Sequence, residues 1–422
     1  MDLNASHSAT NLSCTLPHEI SDHQIETYSD FSWWLEGFGA VLIGSCGTIL
    51  NTTSIIVLLG SALRASFFNW LLACLALFDN LFLLNGILEA LRNHLGSVPL
   101  HDYVFVMFLF PFRSVVLCCS MYMTVILALE RYIALVRPTL HQPHQGGPDT
   151  FGTYFRCHFM RLIKYVGPVV FLSSVYYLPR WMELQVVETD VCSHSSKRYN
   201  CSRQHEVKTT KLRQNNEYVL WYLNISNLIV TAIIPLLSLM YLNFNIYVKF
   251  KQYLQRQPSL RPETNASSDM QLKVRKREKD MVQQTMILFV IVILFGLSHV
   301  LRIALNIEEF ISLEDSNNAR ANGCDWIKFW TYLASPISHV LLLINSSINF
   351  FIYCFFNPSF RDVLVSKTIT ALDTIPFMKK RNISKNASNQ ANLENAQVML
   401  TLATNRSRNT DAIDIEDNIE DV

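Results

Sequence analysis

Neither lysine nor arginine occurs before Arg64, and charge is scarce throughout: 16% of the 422 residues are Asp, Glu, Lys or Arg, against 50% hydrophobic ones. With a positive mean hydropathy besides, the chain is too apolar for an ordinary soluble protein of this length. The net charge of +1 gives no support to a nucleic-acid partner. None of the ten cysteines stands in a C-x-x-C pair, which leaves out the usual zinc and dithiol motifs. There is no H-E-x-x-H stretch and no His-rich run, so no enzyme is expected. A voltage sensor would need serial arginines, and a transporter an internal repeat or a pair of Gly/Pro-broken helices; none of these is found, which makes a membrane transporter or channel the second reading. The base-free start also lacks the positive region of a cleavable leader, so the first membrane segment is expected to direct its own insertion.

What is present is a series of long apolar runs. A helix needs about 20 such residues to cross a bilayer, and seven segments qualify: Phe38 to Leu63, Phe68 to Leu91, Tyr103 to Val136, Leu162 to Trp181, Val219 to Phe250, Met281 to Ile307 and Trp326 to Phe356. The expected fold is an all-α membrane protein, a seven-helix bundle followed by a short amphipathic eighth helix. An odd number of crossings puts the tails on opposite sides. The stretch from Lys249 to Lys279 holds nine Lys and Arg, and Arg64 and the link from Arg137 to Lys164 are also basic, so these are expected in the cytosol. The loop from Met182 to Tyr218 holds six bases, partly offset by acids, and opposes that orientation only weakly. The chain then divides into an extracellular tail (1–36), a seven-span domain (37–356), an amphipathic region on the membrane surface (357–378) and a disordered Asn/Ser-rich, then acidic, cytoplasmic tail (379–422). The sequons at Asn4, Asn11 and Asn200 fall outside the cell in this topology and are the candidate glycosylation sites.

Polar side chains inside an apolar span need partners. Asn51 and Asp79 sit in mid-span, Ser120 lies three turns above Arg131, and Asn345, Ser346 and Asn349 cluster in the last segment. Together they can surround one carboxylate and suit a cation with several waters, or they can simply glue helices together. The third segment ends in Glu130-Arg131-Tyr132, then Arg137-Pro138. Taken alone, this triplet reads equally well as a buried switch or as an arginine snorkelling to the headgroups.

In order and spacing these residues resemble the rhodopsin-like G-protein-coupled receptors over roughly Gly37 to Arg361: Asn51, Leu75-Ala-Leu-Phe-Asp79, Glu130-Arg-Tyr132, Pro235, and Asn345-Ser-Ser-Ile-Asn349-Phe-Phe-Ile-Tyr353 followed by Phe360-Arg361. The resemblance implies a plasma-membrane receptor that binds a ligand outside and activates a heterotrimeric G protein inside. Glu130, Arg131, Tyr132, Asn349 and Tyr353 would form the switch, and Asp79 with Ser120, Asn345, Ser346 and Asn349 would hold sodium in the resting state. It also implies arrestin and receptor-kinase partners, with membrane lipid around the helices and at the basic inner loop. A narrower likeness, to invertebrate FMRFamide-type neuropeptide receptors, rests on Leu178-Pro-Arg180-Trp181-Met-Glu183, on Leu212-Arg213-Gln-Asn-Asn-Glu-Tyr218, on Leu242-Asn243-Phe-Asn-Ile-Tyr247, on Asn306-Ile-Glu308 and on Phe350 in place of a proline. Its implied ligand is a short amidated peptide; a non-peptide ligand is the alternative within the same fold.

Several positions depart from the resemblance. Val106 stands where most relatives carry the cysteine that ties down the second outer loop. Cys14, Cys192, Cys201 and Cys324 remain outside and allow three pairings; Cys192 with Cys201 and Cys14 with Cys324 is the favoured set, against free thiols. His299 and Leu301 replace a tryptophan and a proline in the sixth segment, so less kinking is expected there and His299 reads as a satisfied core histidine before a titrating one. Met281 stands where an acid would pair with Arg131, and Asn243 replaces a tyrosine, which points to a loosely locked resting state. Candidate ligand contacts are Glu89, Arg113, His299, Arg302, Asn306 and His339 within the bundle and Glu183, Glu308 and Glu309 around an acidic rim that would draw a cationic peptide. Arg113 gives a small amine the wrong charge, and the last segment has no lysine for retinal. A Glu89 to Arg113 salt bridge is as good a reading of that pair as direct ligand contact.

Overall fold

The computed structural model describes residues 22–95, 99–136, 151–195, 198–256, 268–312, 314–315 and 328–374. The expectations for Cys14, Cys324, Asn4, Asn11 and the tail fall outside these residues, as do the side chains of Cys192, Cys201 and Asn200.

Seven helices are long and apolar enough to cross a membrane: α1 (Glu26–Leu58), α2 (Phe67–His94), α3 (Leu100–Val136), α4 (His158–Met182), α5 (Asn216–Lys249), α6 (Thr285–Ile311) and α7 (Phe329–Phe356). Lipid offers the backbone no hydrogen bonds, so each apolar run must satisfy its own as a helix. The side chains are distributed inside out relative to a soluble protein. Phe171, Phe244, Leu297 and Val300 face outward and are each more than half exposed, whereas Asn51, Asp79, Glu130 and His299 are buried. α3 is the centre of the bundle and packs on α2, α4, α5 and α6; α1 lies against α2 and α7. Packing extends through Phe360, and the segment from Arg361 onward is a unit by itself, described as the remainder of the helix α8 (Pro358–Thr374).

Small residues set the approach of α1. A Cβ on Gly47 would stand 2.2 Å from Ser347 Oγ and 2.8 Å from Leu83 Cδ1, and one on Gly44 would stand 2.7 Å from Ile87 Cγ1. Gly47→Ala is therefore expected to push α1 off both neighbours at a cost of about 1–3 kcal/mol. Gly296→Ala, with nothing within 4 Å of its Cβ, is the neutral control. Melting of the two purified variants checks the difference.

Wide π-helical turns occur at Trp33–Gly39, Phe105–Leu109, Val219–Ser226 and Ile229–Ile233. Two of them run into a proline, Pro111 and Pro235, whose missing N–H leaves carbonyls one turn earlier to find other donors. α6 has no such proline and continues an unbroken helix Ser268–Ile311, in line with the expectation from Leu301.

Two features were not legible in advance. The first helix begins at Asp22, well before Phe38, and reaches α7, with Tyr28 and Tyr332 ring centroids 5.2 Å apart. The loop after α4 is a hairpin, β1 (Leu184–Ser195) paired antiparallel with β2 (Arg198–Thr209). Its alternating Leu184 and Val186, with Val207 opposite, close over Phe105, Val106, Leu109 and Phe110 at the outer end of α3. An apolar contact thus stands at Val106, where the receptor resemblance implies a disulfide.

Candidate functional site

The mid-bundle cluster is built on Asp79. One carboxylate oxygen accepts from Ser120 Oγ at 2.7 Å and the other from Asn349 Nδ2 at 2.8 Å, with buried Ser346 beside them. Asn51 Nδ2 donates to the Ser346 carbonyl at 2.9 Å, tying α1 to α7. Asp79, Ser120, Ser346 and Asn349, from α2, α3 and α7, therefore meet as expected. Asn345 is half-buried, and among the described residues it makes no hydrogen bond to the group. Tyr353 is fully buried one turn beyond Asn349, with its ring 5.7 Å from that of Phe360.

At the inner end of α3, Glu130 is fully buried and accepts from Arg161 Nη2 of α4 at 3.3 and 3.4 Å. Arg161 in turn lies over the Phe67 ring at 4.2 Å. The Arg131 guanidinium sits over the ring of buried Phe68 at 3.9 Å, a cation–π contact with α2. Tyr132 is half-buried beside them. Two aromatic residues at the start of α2 thus carry two arginines, one from α3 and one from α4. Sequence reasoning missed Phe67, Phe68 and Arg161, because contact between the ends of three helices leaves no periodic trace in any one of them.

The outer half is lined with charge. Arg113 Nη1 is ion-paired with Glu89 Oε2, which joins α3 to α2. His339 Nδ1 of α7 lies 3.5 Å from Glu36 of α1, whose other oxygen accepts from Ser32 Oγ at 3.0 Å. Glu36 was not singled out in the sequence and lies in the first π turn. His299 is buried and satisfied: its ring stacks on Phe295 at 4.1 Å, with Nδ1 2.9 Å from the Phe295 carbonyl and Nε2 3.2 Å from Met121 Sδ of α3. Arg302 and Asn306 are half-buried further out on the same helix.

The acidic rim needs correction. Glu183 is fully buried rather than at the mouth; Arg180 Nη1 lies 3.1 Å away, Tyr218 OH donates at 2.8 Å, and Arg213 Nη1 lies 3.9 Å away. Glu308 is ion-paired with Lys328 and accepts from Ser312 Oγ at 2.8 Å, which leaves Glu309 as the exposed acid of the pair. On the hairpin, Cys192 and Cys201 are direct cross-strand partners in the backbone register.

Charged pairs toward one end of the bundle, a mid-bundle carboxylate and a Glu-Arg-Tyr triplet at the other end of α3 are thus carried on seven spans. Residues 40–369 match the family described as serpentine type 7TM GPCR chemoreceptor Srw. This chain is a serpentine-type seven-transmembrane receptor. It is similar to the FMRFamide receptor of Drosophila melanogaster, 27% identical over 347 residues that cover 79% of the chain and 53% of that protein. The receptor thus spans about half the length of the curated relative it matches. Its membership places it with multi-pass signalling proteins rather than enzymes.

Proposed function

We propose that the receptor is activated by a short amidated peptide of the FMRFamide type and passes that event to a heterotrimeric G protein. The observation that carries this reading is the charged network at one end of α3 and the Glu130–Arg161 and Arg131–Phe68 contacts at its other end, joined by one helix. The N-terminus lies outside and the C-terminus in the cytosol of a plasma-membrane protein, with the four segments bounded as the sequence sets them. Arrestin and receptor kinase are further cytoplasmic partners, and Asn4, Asn11 and Asn200 are glycosylated. Cys192 bridges Cys201, which the cross-strand register favours, and Cys14 bridges Cys324.

The Asp79 group offers one carboxylate, the hydroxyls of Ser120 and Ser346 and the amide oxygens of Asn345 and Asn349, all hard oxygen donors that suit sodium. Asn51 Oδ1 on α1 and Tyr353 OH on α7 are buried without a hydrogen bond among the described residues, so polar capacity is left over for an ion or its waters. Held there, sodium would fix α2, α3 and α7 in the resting arrangement. Release would let Asp79 be rearranged, Arg131 leave Phe68, and α6 swing outward to admit the G protein.

The test is a panel of short amidated peptides on membranes of cells expressing the chain. An agonist should bind about 5–150-fold more weakly once a GTP analogue is added, because ligand and G protein strengthen each other reciprocally. Glu309→Gln should reduce its potency and the salt dependence of that potency more than Glu308→Gln, since Lys328 already neutralises Glu308. Peptide affinity that ignores the nucleotide would overturn coupling to a G protein.

A further inference from the structure

The cations of the outer bundle are paired, with one exception among the described residues. Arg92 meets Asp102, Arg113 meets Glu89, Arg180 meets Glu183, and Lys328 meets Glu308. Arg302 has no carboxylate: the ionisable groups that act on it are Tyr177, Arg113 and Arg180. Two of the three are cations already committed elsewhere.

Its position rules out an escape to water at the membrane surface. Arg302 lies nine residues inside the outer end of α6 at Ile311, about 13 Å at 1.5 Å per residue. It also shares a face with His299 and Asn306, three residues before and four after. His299 reaches Met121 of α3, so this face looks into the bundle, while Leu297 and Val300 face outward. The side chain is half-buried.

A second observation concerns α5, whose π turn Val219–Ser226 packs on α6. Asn224 on that turn is 2% exposed, and both polar atoms of its amide lack a partner. One turn inward, Asn227 accepts from Tyr177 OH at 3.3 Å, and Tyr177 is one of the groups that act on Arg302. A guanidinium without a carboxylate and an orphaned amide thus stand on two elements that pack against each other, α6 and the π turn of α5. Guanidinium pairs best with a planar anion that takes two parallel N–H donors, which a carboxylate does.

We propose that Arg302, with Asn224 on the facing turn of α5, is the seat of a carboxylate on the ligand. The proposal rests on reading the chain as a ligand-activated receptor and adds a requirement that a cationic, amide-tailed peptide does not meet by itself. The agonist carries an anion, supplied either by an acidic side chain or by a free C-terminus.

The experiment has two arms. In the first, cells expressing the full chain receive matched short peptides, each made with Asp or Asn at one position and as C-terminal amide or free acid. Agonists should contain a carboxylate, and whichever change removes it identifies its source. That removal and Arg302→Gln should each lower potency about a hundredfold, and the two combined no further than either alone. Arg302→Lys should recover part of the loss. Agonists with no carboxylate, or losses that multiply, overturn the proposal. In the second arm, the purified receptor in nanodiscs is melted with millimolar N-acetyl-aspartate amide or N-acetyl-asparagine amide. The acid alone should raise the unfolding midpoint, and Arg302→Gln should abolish that rise while leaving the baseline melt measurable; Arg302→Met, which also lacks the charge, replaces it should Arg302→Gln fail to fold. Equal behaviour of the two probes overturns the anion site. Stabilisation by the acid with a silent peptide panel overturns the peptide reading and leaves the anion site standing.

Discussion

Glu183→Ala is expected to remove most of the receptor from the cell surface and to lower its stability by about 3–5 kcal/mol, the cost of taking one partner from a buried ion pair. The carboxylate is fully buried and held by Arg180, Arg213 and Tyr218, while its backbone carbonyl accepts at 2.9 Å from Thr210 N, just past the end of β2. Removing it leaves Arg180, 14% exposed, and Arg213 facing each other without a counter-charge. Burial already pulls the Arg213 pKa below the ordinary guanidinium value, and Glu183 is the main group opposing that pull. Glu183→Gln keeps a partner for Tyr218 but not the charge, and should lose about half as much. The clasp matters because Val106 cannot form a bridge, so Glu183 and the apolar patch of Leu184, Val186 and Val207 fasten the hairpin over α3. Cys192→Ser should do less, since it acts within the hairpin and leaves that fastening intact. Surface labelling and melting of the purified receptor measure all three; a Glu183→Ala protein with normal surface level and midpoint would show that the hairpin is held some other way.

The seven spans were readable because each is a long apolar run whose length the bilayer dictates, and Asp79 with its partners because a carboxylate in such a run demands company. Glu183 misled for the opposite reason. It stands in a polar stretch where a rim position costs nothing, and only the return of the chain at Arg213 and Tyr218, some thirty residues later, buries it. The hairpin was hidden by its own composition: its charged residues read as loop, and the few apolar residues that alternate along it are too few to stand out. Glu36 escaped notice because the sequence gives no sign that the helix starts before Phe38, and it is that extension which carries Glu36 to His339. Local pattern thus fixed what each segment is, while the charge pairing was decided by contacts between segments.

Phe68→Leu is expected to raise ligand-free signalling about twentyfold, and Arg131→Gln to abolish signalling with or without agonist. Both follow from the contact of the Arg131 guanidinium with the Phe68 ring at 3.9 Å on a residue that is 1% exposed. A desolvated cation–π contact contributes about 2 kcal/mol, which at about 1.4 kcal/mol per tenfold shifts a two-state equilibrium some thirtyfold. A receptor that rests with about 1% of its population active would then become substantially active without ligand. Leucine preserves the apolar packing of that site but has no ring face, so the change isolates the electrostatic part of the contact. Phe68→Trp, with the stronger ring, should return basal output to the wild-type level or below it. Arg161→Gln should act in the same direction as Phe68→Leu, because it frees Glu130 from α4 and loosens the neighbouring Arg161–Phe67 contact. In the Phe68→Leu, Arg131→Gln double variant the rise should vanish, since the arginine that the ring restrains is the group that signals. Nucleotide exchange on membranes matched for receptor number measures each variant; a basal rate unchanged by Phe68→Leu, or one that persists when Arg131 is gone, would mean that the ring does not hold the switch.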